Sequence, residues 1–209
     1  GVDRGVAIPV CAGEQTYDFT HSQKKNMSKA DRYIKRLQRK LARQQKGSNR
    51  RAKTKHRIAV HHAKKANIRN DFAHKTSRLL VDSSAKIIVF EALRTARMTR
   101  RPKAKQDEQG RFISNKAKQK AGLNKSILNV GWHVIETYTY YKAYSSSKAV
   151  FKIPAPTTSQ ECAKCGHTHP DNRKTQALFV CGNCGNTDNA DHNASLVMAF
   201  EAQWNGKPG

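Results

Sequence analysis

The spacing of apolar residues divides the first part of the chain into short strands and two long helices. Apolar residues alternate with small or polar ones over residues 1–20, which predicts strands with a hairpin turn at Gly13. Isoleucine and leucine recur at helical spacing over residues 28–46, where Ser28 is the expected N-cap. A thinner apolar stripe predicts a second helix over residues 50–82. The two helices are expected to pair as an antiparallel hairpin.

The second part of the chain continues the alternation of strands and helices. Short apolar runs predict a buried strand at residues 86–91, which ends on an acid, and another strand at residues 149–153. Helical periodicity returns over residues 126–141 and again over residues 191–204. Residues 94–125 lack apolar periodicity and are expected to form a mobile basic loop. Strands that alternate with helices in this way predict an α/β layer fold.

Positive charge is concentrated in two stretches of the chain. The 209 residues include 40 Lys and Arg against 15 Asp and Glu, which gives a net charge of +25. Residues 24–69 hold 18 of the basic residues with one acid, residues 94–125 hold 11 with two acids, and the rest is close to neutral. A segregated cationic surface favours binding to nucleic acid over the alternatives, an anionic membrane or non-specific adhesion. The expected contacts to nucleic acid are Lys35, Arg36, Arg39, Arg43, Arg50, Arg51, Arg97, Arg100 and Arg101.

Two further observations limit the class of protein. The longest uncharged apolar run is Ile87–Phe90, far shorter than the about 20 residues that cross a bilayer. The N-terminal segment has an early acid and no basic region before an apolar stretch, unlike a secretory signal peptide. We therefore expect a cytoplasmic protein with no membrane partner.

Four cysteines form a motif typical of a zinc site. Cys162 and Cys165 are separated by two residues, as are Cys181 and Cys184, with 15 residues between the pairs. Four thiolates complete a tetrahedral site with no position open to water, so the expected role is structural. The alternatives are two disulfides, which a cytoplasmic chain disfavours, four unconnected thiols, or iron in place of zinc. Cys11, on an apolar strand, is expected to be a small core residue.

Three acids lie at unusual positions in the pattern. Asp3 interrupts a strand, Glu91 ends an apolar run, and Asp191 opens the last helix. An acid that ends or interrupts a buried strand needs a cation nearby, which an Arg or a divalent metal can supply. Spacing alone leaves both choices open, since each of these acids can equally be an N-cap or an ion-pair partner.

Specific motifs carry a resemblance to a known family. In chain order they are GVDRG at residues 1–5, IVFEAL at residues 88–93, TSQECAKCGH at residues 158–167 and NADHNAS at residues 189–195. The chain resembles the RuvC-like nuclease half of TnpB, the transposon-encoded OrfB-type proteins, and the compact type V CRISPR effectors are close relatives of that family.

The resemblance implies an RNase H-like (RuvC) α/β fold with a mixed sheet and flanking helices. Residues 1–158 are then the nuclease domain, which carries a long basic helical hairpin insertion at about 24–82 and a basic lid loop at about 94–125. Residues 159–187 are expected to be a small inserted zinc ribbon. Residues 188–209 are expected to be the last helix, with the third acid.

The resemblance also implies a site and a function. Asp3, Glu91 and Asp191 are expected to bind two Mg²⁺, for which Mn²⁺ can substitute, in addition to the structural Zn²⁺. Asp191 fits the Asp-x-Asn-Ala pattern, which Asp188 does not, and Asn193 is expected to position the helix or a ligand. The implied function is the nuclease domain of an RNA-guided DNA endonuclease, a Mg²⁺-dependent endodeoxyribonuclease with guide RNA and target DNA as partners. Because the sequence begins almost on the first acid, we expect a recognition part of the same protein upstream.

Two other functions use the same features. A nuclease-inactive regulator that binds guide RNA and DNA would need none of the acids, whereas a strand-transfer transposase of RNase H-like fold would use all three. The intact acids favour an enzyme, and a zinc ribbon between Glu91 and Asp191 favours the guided nuclease. Such a protein is expected at the nucleoid of a prokaryote. The sequence leaves the guide RNA, the target-adjacent motif, the cut position and the oligomeric state open.

Overall fold

The structure, a computed structural model, describes residues 1–154, 158–175 and 177–205, with side chains up to residue 200. The last four residues of the expected C-terminal segment, 206–209, lie outside the described residues. The chain divides into two compact units, one formed by Gly1–Tyr17 together with Ser77–Gly209 and the other by Asp18–Thr76.

The expected mixture of strands and helices is confirmed. Among the described residues the strands are β1 (Val2–Asp3), β2 (Val10–Ala12), β3 (Gln15–Tyr17), β4 (Ile87–Glu91), β5 (Lys105–Gln106), β6 (Phe112–Ile113), β7 (Ala149–Ile153), β8 (Leu178–Val180) and β9 (Thr187–Asn189). The α-helices of the same residues are α1 (His21–Ala42), α2 (Asn49–Asp82), α3 (Thr95–Met98), α4 (Ala117–Val130), α5 (Trp132–Ser145) and α6 (Ala190–Asn205). None of these helices is both long and apolar enough to cross a membrane.

A five-stranded mixed sheet forms the centre of the first unit. Its strand order is β3-β2-β1-β4-β7, in which β1, β2 and β3 are antiparallel neighbours while β1, β4 and β7 run parallel. Val2 of β1 pairs with Phe90 of β4. Each of these residues is followed by the acid that ends its strand, Asp3 or Glu91. The parallel register therefore brings both acids to the same edge of the sheet.

Helix α6 packs against this sheet and is held to it at two places. Met198 is fully buried and packs with Val89 of β4 and Ile153 of β7. The hydroxyl of Ser195 accepts a hydrogen bond of 3.2 Å from the amide of Gly13, in the turn between β2 and β3. These contacts fix the position of the helix whose first turn carries Asp191.

The second unit is built on α1 and the larger part of α2, which lie antiparallel. The rings of Phe19 and Phe72 are 4.1 Å apart at one end of the pair. Lys65 contacts Asp31 at 2.6 Å between the helices. At the connection, Arg51 donates hydrogen bonds to backbone carbonyl oxygens at the end of α1. Apolar contact, an ion pair and a helix cap thus hold the two helices together.

The start of α1 differs from the sequence prediction. The N-cap is Thr20, not Ser28: its hydroxyl accepts from the amide of Gln23 at 3.2 Å, and the Gln23 side chain accepts from the amide of Thr20 at 2.9 Å. This reciprocal capping box satisfies backbone donors that the helix itself leaves unpaired. The first turns carry polar residues, and the buried side chains of this helix, Ala30 and Ile34, come later. Apolar periodicity alone therefore did not predict the first turns of α1.

The expectation of a loop over residues 94–125 is wrong in part. The segment contains α3, the β5–β6 hairpin and the first half of α4. Only Ile127 and Val130 of α4 are buried, so its Lys- and Gln-rich first turns show no apolar stripe. The single helix expected over residues 126–141 is also interrupted, because Gly131 has φ +78° and separates α4 from α5. A left-handed backbone of this kind favours glycine.

The packing of α6 gives a stability prediction. Replacement of Met198 by Ala removes buried side-chain volume between the helix and the sheet, so we expect unfolding to become easier by about 2–5 kcal/mol. Phe200→Ala on the same helix is the matched control, because Phe200 is 58% exposed and should change stability by less than about 0.5 kcal/mol. Urea unfolding followed by circular dichroism measures both. Equal effects of the two substitutions would contradict the described packing.

Candidate functional site

The fold brings together the three acids that the sequence singled out. Asp3 and Glu91 end neighbouring parallel strands, and Asp191 is the second residue of α6. The charges of Asp191 and then Glu91 both raise the pKa of Asp3, so the three carboxylates lie close together. All three side chains are half-buried. Residues separated by almost the whole length of the chain thus form one acidic cluster at the edge of the sheet.

Burial disfavours the charged form of all three acids. Burial, together with repulsion from Asp191 and then Glu91, raises the pKa of Asp3 to about 7. Burial likewise raises the pKa of Glu91 and that of Asp191. The charge of Arg173 opposes the rise at each of the three acids. Like-charged carboxylates in this position attract either protons or cations.

Hydrogen bonds orient all three carboxylates, and Oδ1 of Asp3 accepts from the amide of Arg4 at 2.7 Å. The hydroxyl of Thr158 donates to Oε1 of Glu91 at 3.0 Å. A guanidinium nitrogen of Arg173 lies 3.5 Å from Oδ1 of Asp191. Sequence patterns did not identify Arg173, although it is the sole Arg between the two cysteine pairs. That isolation in a nearly neutral stretch was the available signal.

Arg4 is a second residue that sequence patterns missed. It directly follows Asp3 and is 5% exposed, with its guanidinium 5.0 Å from the centre of the Phe90 ring. It donates to the backbone carbonyl oxygen of Glu91 and, at 2.8 Å, to the carboxylate of Glu136. Arg4 therefore ties the ends of β1 and β4 to helix α5, close to both strand-terminal acids.

Asp188 and Asp191 have different surroundings. The Asp188 carboxylate lies 2.7 Å from Nδ1 of His192, one turn into α6. Asp191 instead contacts Arg173 at 3.5 Å, and its charge raises the pKa of Asp3. Asp191 therefore lies close to Asp3, whereas the contact found for Asp188 is with His192.

The four motif cysteines converge on a second site. All four sulfurs lie within 4.8 Å of one another. Those of Cys162 and Cys184 are 3.7 Å apart and those of Cys165 and Cys181 are 3.6 Å apart. Sulfurs placed about 2.3 Å from one tetrahedral ion lie about 3.8 Å from each other, whereas a disulfide bond is only about 2.05 Å long. The cluster therefore has the dimensions of a metal site and can bind zinc.

Asparagine side chains connect the cysteine cluster to α6. Asn193 is fully buried; its Oδ1 accepts from the amide of Ala163 at 3.0 Å and its Nδ2 donates to the carbonyl oxygen of Glu161 at 2.7 Å. Both partners flank Cys162. Cys162 also packs with Ala190, the first residue of α6. The first cysteine pair is thus fixed to the helix turn that carries Asp191, which is the positioning role expected for Asn193.

The two clusters differ in spacing. Within the part of the chain that the structure describes, the cysteines are the one group of three or more ligand side chains whose atoms all lie within 4.8 Å of one another. The three carboxylates are spread more widely than that.

The basic residues expected to contact nucleic acid lie in both units. Most are exposed on α1, on the first turn of α2, or on and just after α3. Arg51 is the exception, because it is half-buried and its guanidinium donates to the carbonyl oxygens of Leu41 and Gln44. This side chain has a structural role in capping α1. The exposed members of the set are Lys35, Arg36, Arg39, Arg43, Arg50, Arg97, Arg100 and Arg101.

The fold and sites define a mixed-sheet α/β protein of the kind found in Cas12 effectors. Two cryo-EM structures of Cas12f complexes share this fold, each with a TM-score of 0.59 over 95% of this chain. One is a complex of Cas12f1 with sgRNA and target DNA, 18% identical and matched over 48% of its chain; the other is a Cas12f ternary complex, 20% identical and matched over 37%.

Sequence comparisons identify the family. Residues 1–101 match the OrfB_IS605 family, described as probable transposase, and residues 132–198 match the Cas12f1-like TNB domain. InsQ of Escherichia coli (strain K12), named as a proposed RNA-guided DNA endonuclease, is 36% identical over 93% of this chain. Cas12f1 of Sulfoacidibacillus thermotolerans, named a CRISPR-associated endodeoxyribonuclease, is 36% identical over 36% of this chain. The chain belongs to the TnpB/OrfB-type family, which is related to the type V effectors.

The chain is shorter than these relatives. It spans 46% of the length of InsQ and 20% of the length of Cas12f1. The two family matches, residues 1–101 and 132–198, include the three acids and the cysteine motif.

The raised pKa of Asp3 gives a prediction for stability against pH. The folded state binds the Asp3 proton more tightly than the unfolded chain, so this group's stabilising contribution is present below about pH 4 and is lost as pH rises through about 7. Asp3→Asn should therefore stabilise the protein at pH 8, by on the order of 2–4 kcal/mol without divalent cations, and the gain should shrink toward pH 4. Thermal unfolding measured across this pH range tests the expectation.

The matched control is Glu14→Gln, at an exposed position on the β2–β3 turn. It should change stability by less than about 0.5 kcal/mol at every pH. A loss of stability in Asp3→Asn at pH 8 would contradict the proposed repulsion among the three carboxylates.

Proposed function

We propose that this chain is the nuclease domain of an RNA-guided DNA endonuclease that hydrolyses DNA phosphodiester bonds with Mg²⁺. The observation that carries the proposal is the convergence of Asp3, Glu91 and Asp191 at one edge of the sheet, where burial raises the pKa of each carboxylate. The names of InsQ and Cas12f1 describe endonucleases, which supports the same reading of the cluster.

Within this proposal the fold is the RNase H-like, RuvC-type variant of the α/β class. The antiparallel β1-β2-β3 ribbon continued by the parallel strands β4 and β7 supports this assignment. Helices α1 and α2, between β3 and β4, are then the basic insertion of the domain. Residues 159–187, between β7 and α6, are the zinc ribbon, so that residues 1–158 and 188–209 make up the nuclease domain itself.

The acidic cluster fits hard divalent cations. Its donors are carboxylate oxygens, the ligands that Mg²⁺ prefers, and each lies where the charged form is disfavoured without a cation. Asp3, Glu91 and Asp191 would hold the ions, with Mn²⁺ as a substitute. A bound pair of Mg²⁺ supplies an activated water and stabilises the leaving oxygen in phosphodiester hydrolysis.

The remaining residues of the site have supporting roles in this proposal. Thr158 holds one Glu91 oxygen by its hydrogen bond, so the other oxygen keeps a defined direction. Arg4 holds the ends of β1 and β4 together through the Glu91 carbonyl oxygen. Arg173 is 30% exposed beside Asp191, and it can contribute positive charge near a DNA phosphate.

The proposed partners are guide RNA and target DNA. The exposed basic residues on α1, α2 and α3 would neutralise backbone phosphates, which gives affinity without reading sequence. The Cas12f1 structure that shares this fold is a complex with sgRNA and target DNA, which supports the same two classes of partner. These partners would place the protein at the nucleoid in a prokaryotic cytoplasm.

A strand-transfer transposase is the second candidate, because the family matched by residues 1–101 is described as probable transposase. Transfer and hydrolysis would use the same three acids and differ in their products. Joined DNA products in an assay with two DNA ends would favour transfer, and cleaved products alone would favour hydrolysis.

The cleavage prediction concerns Glu91→Gln, which keeps the size of the side chain but removes its charge. We expect this substitution to reduce Mg²⁺-dependent DNA cleavage to background, while affinity for DNA stays within about twofold because the exposed basic residues supply it. Binding of Mn²⁺ measured by calorimetry is a second readout and should weaken in the same variant.

Asp188→Asn is the matched control, because Asp188 pairs with His192 outside the cluster. It should retain cleavage and Mn²⁺ binding. Unchanged cleavage in Glu91→Gln would overturn the proposed site, and normal Mn²⁺ binding in that variant would overturn the role of Glu91 as a ligand.

The zinc prediction is structural. We expect about one zinc per chain, and Cys162→Ser should lose this metal and lower the melting temperature. Cys11→Ala is the matched control, because Cys11 is buried on β2, away from the four-sulfur cluster, and should leave the zinc content unchanged. Metal analysis of the purified variants measures this. Full zinc content in Cys162→Ser would contradict the four-cysteine assignment.

A further inference from the structure

A groove in the second unit lies between α1 and α2 and is separate from the acidic cluster. It has a volume of about 610 Å³ and is lined by polar, aromatic and basic side chains, among them Lys29, Tyr33, His61 and Lys64. A smaller groove of about 250 Å³ shares Tyr33 and Lys29 and adds two arginines, Arg32 and Arg36. The larger groove falls within the range of about 300–1,000 Å³ that is typical of ligand pockets.

Two stacked rings form one wall of the groove. The rings of Tyr33 on α1 and His61 on α2 are 5.1 Å apart between centres and only 4° from parallel. Tyr33 remains 40% exposed, so this ring is not part of the core. A planar ring supported from behind and open to solvent is a surface on which another flat ring can stack.

The charge around the rings is positive and unpaired. Among the described residues, neither Lys29 nor Lys64 forms an ion pair, and both are exposed. The sole acid of residues 24–69 is Asp31, and its carboxylate is held by Lys65 at 2.6 Å. The groove therefore combines an accessible aromatic face with cations that have no protein partner.

We propose that the Tyr33–His61 pair stacks on an unpaired base of a single-stranded nucleic acid while Lys29 and Lys64 contact the neighbouring phosphates. A duplex covers the faces of its bases by stacking them on each other, so an aromatic platform favours an unpaired nucleotide, whereas cations alone bind either form. This inference deepens the proposed function and rests on it, because it assigns one nucleic-acid contact to a defined pair of rings. Guide RNA and a DNA strand offer the same chemistry, and the experiment separates them.

The test measures binding of fluorescein-labelled oligo-U and oligo-dT, each about 12 nucleotides long, by fluorescence anisotropy. Tyr33→Ala should weaken binding about 5- to 100-fold, because it removes the stacking surface. Tyr33→Phe keeps the ring and should bind within about twofold of the original protein. Tyr144→Ala, at a residue that is 88% exposed in the other unit, is the control for general loss of aromatic surface and should have no effect.

Oligonucleotides of the same length that carry abasic sites test the stacking contact without any change to the protein, so an effect on its folding cannot explain the result. Abasic substitution should weaken binding to the original protein, but it should weaken binding to Tyr33→Ala much less, since the stacking contact is already lost. If Tyr33→Ala loses more affinity for oligo-U than for oligo-dT, the stacked base belongs to RNA, and the opposite result assigns it to DNA. Equal losses of affinity show a site for either strand. The double substitution Lys29→Ala with Lys64→Ala should reduce the salt dependence of binding by about 1.4 in logarithmic slope.

Three results would overturn the inference. The first is that Tyr33→Ala binds the oligonucleotides within about twofold of the original protein. The second is that this substitution weakens binding to duplex DNA as much as binding to single strands. The third is that abasic sites weaken binding equally in the original protein and in Tyr33→Ala. The Tyr33→Ala protein also distinguishes this inference from the nuclease proposal. Metal binding at the acidic cluster should be the same in Tyr33→Ala as in the original protein. If the nuclease proposal fails, the original protein itself will not bind metal at this cluster.

Discussion

Burial of three carboxylates at one edge of the sheet is the constraint on which the structure of the site depends. Asp3 and Glu91 arrive at one edge of the sheet because β1 and β4 are parallel and in register, and Asp191 arrives there on α6. Burial and mutual charge raise the pKa of Asp3 to about 7. The rest of the fold holds this unfavourable arrangement in place through buried packing, hydrogen bonds and the nearby charge of Arg173. An arrangement of this kind is stabilised when a cation binds.

The cysteine cluster is part of that support. Asn193 connects the first cysteine pair to the first turn of α6, and Cys162 packs against Ala190 at its start. On the sheet side, Met198 anchors the same helix. The third acid is therefore positioned by two independent sets of contacts, one to the sheet and one to the cysteine module. These contacts give a physical reason why Asp191 follows the cysteine motif closely in the sequence.

Local sequence patterns predicted the strands β4 and β7 and the convergence of the four cysteines. The choice of the three acids came from the family resemblance, because their spacing alone left other roles open. The start of α1 was missed because a capping box of Thr20 and Gln23, rather than an apolar stripe, defines it. The break at Gly131 was missed because apolar residues continue on both sides of it. Arg4 and Arg173 were missed because their partners are distant in sequence and only the folded sheet and module bring them together.

The most direct test of the central claim is anomalous diffraction from crystals of this chain grown with Mn²⁺, with data collected on either side of the manganese edge. We predict manganese density between Asp3, Glu91 and Asp191, in two peaks about 4 Å apart when a nucleic-acid phosphate is bound. Manganese density elsewhere on the protein, with none at the three carboxylates at saturating metal, would contradict this claim.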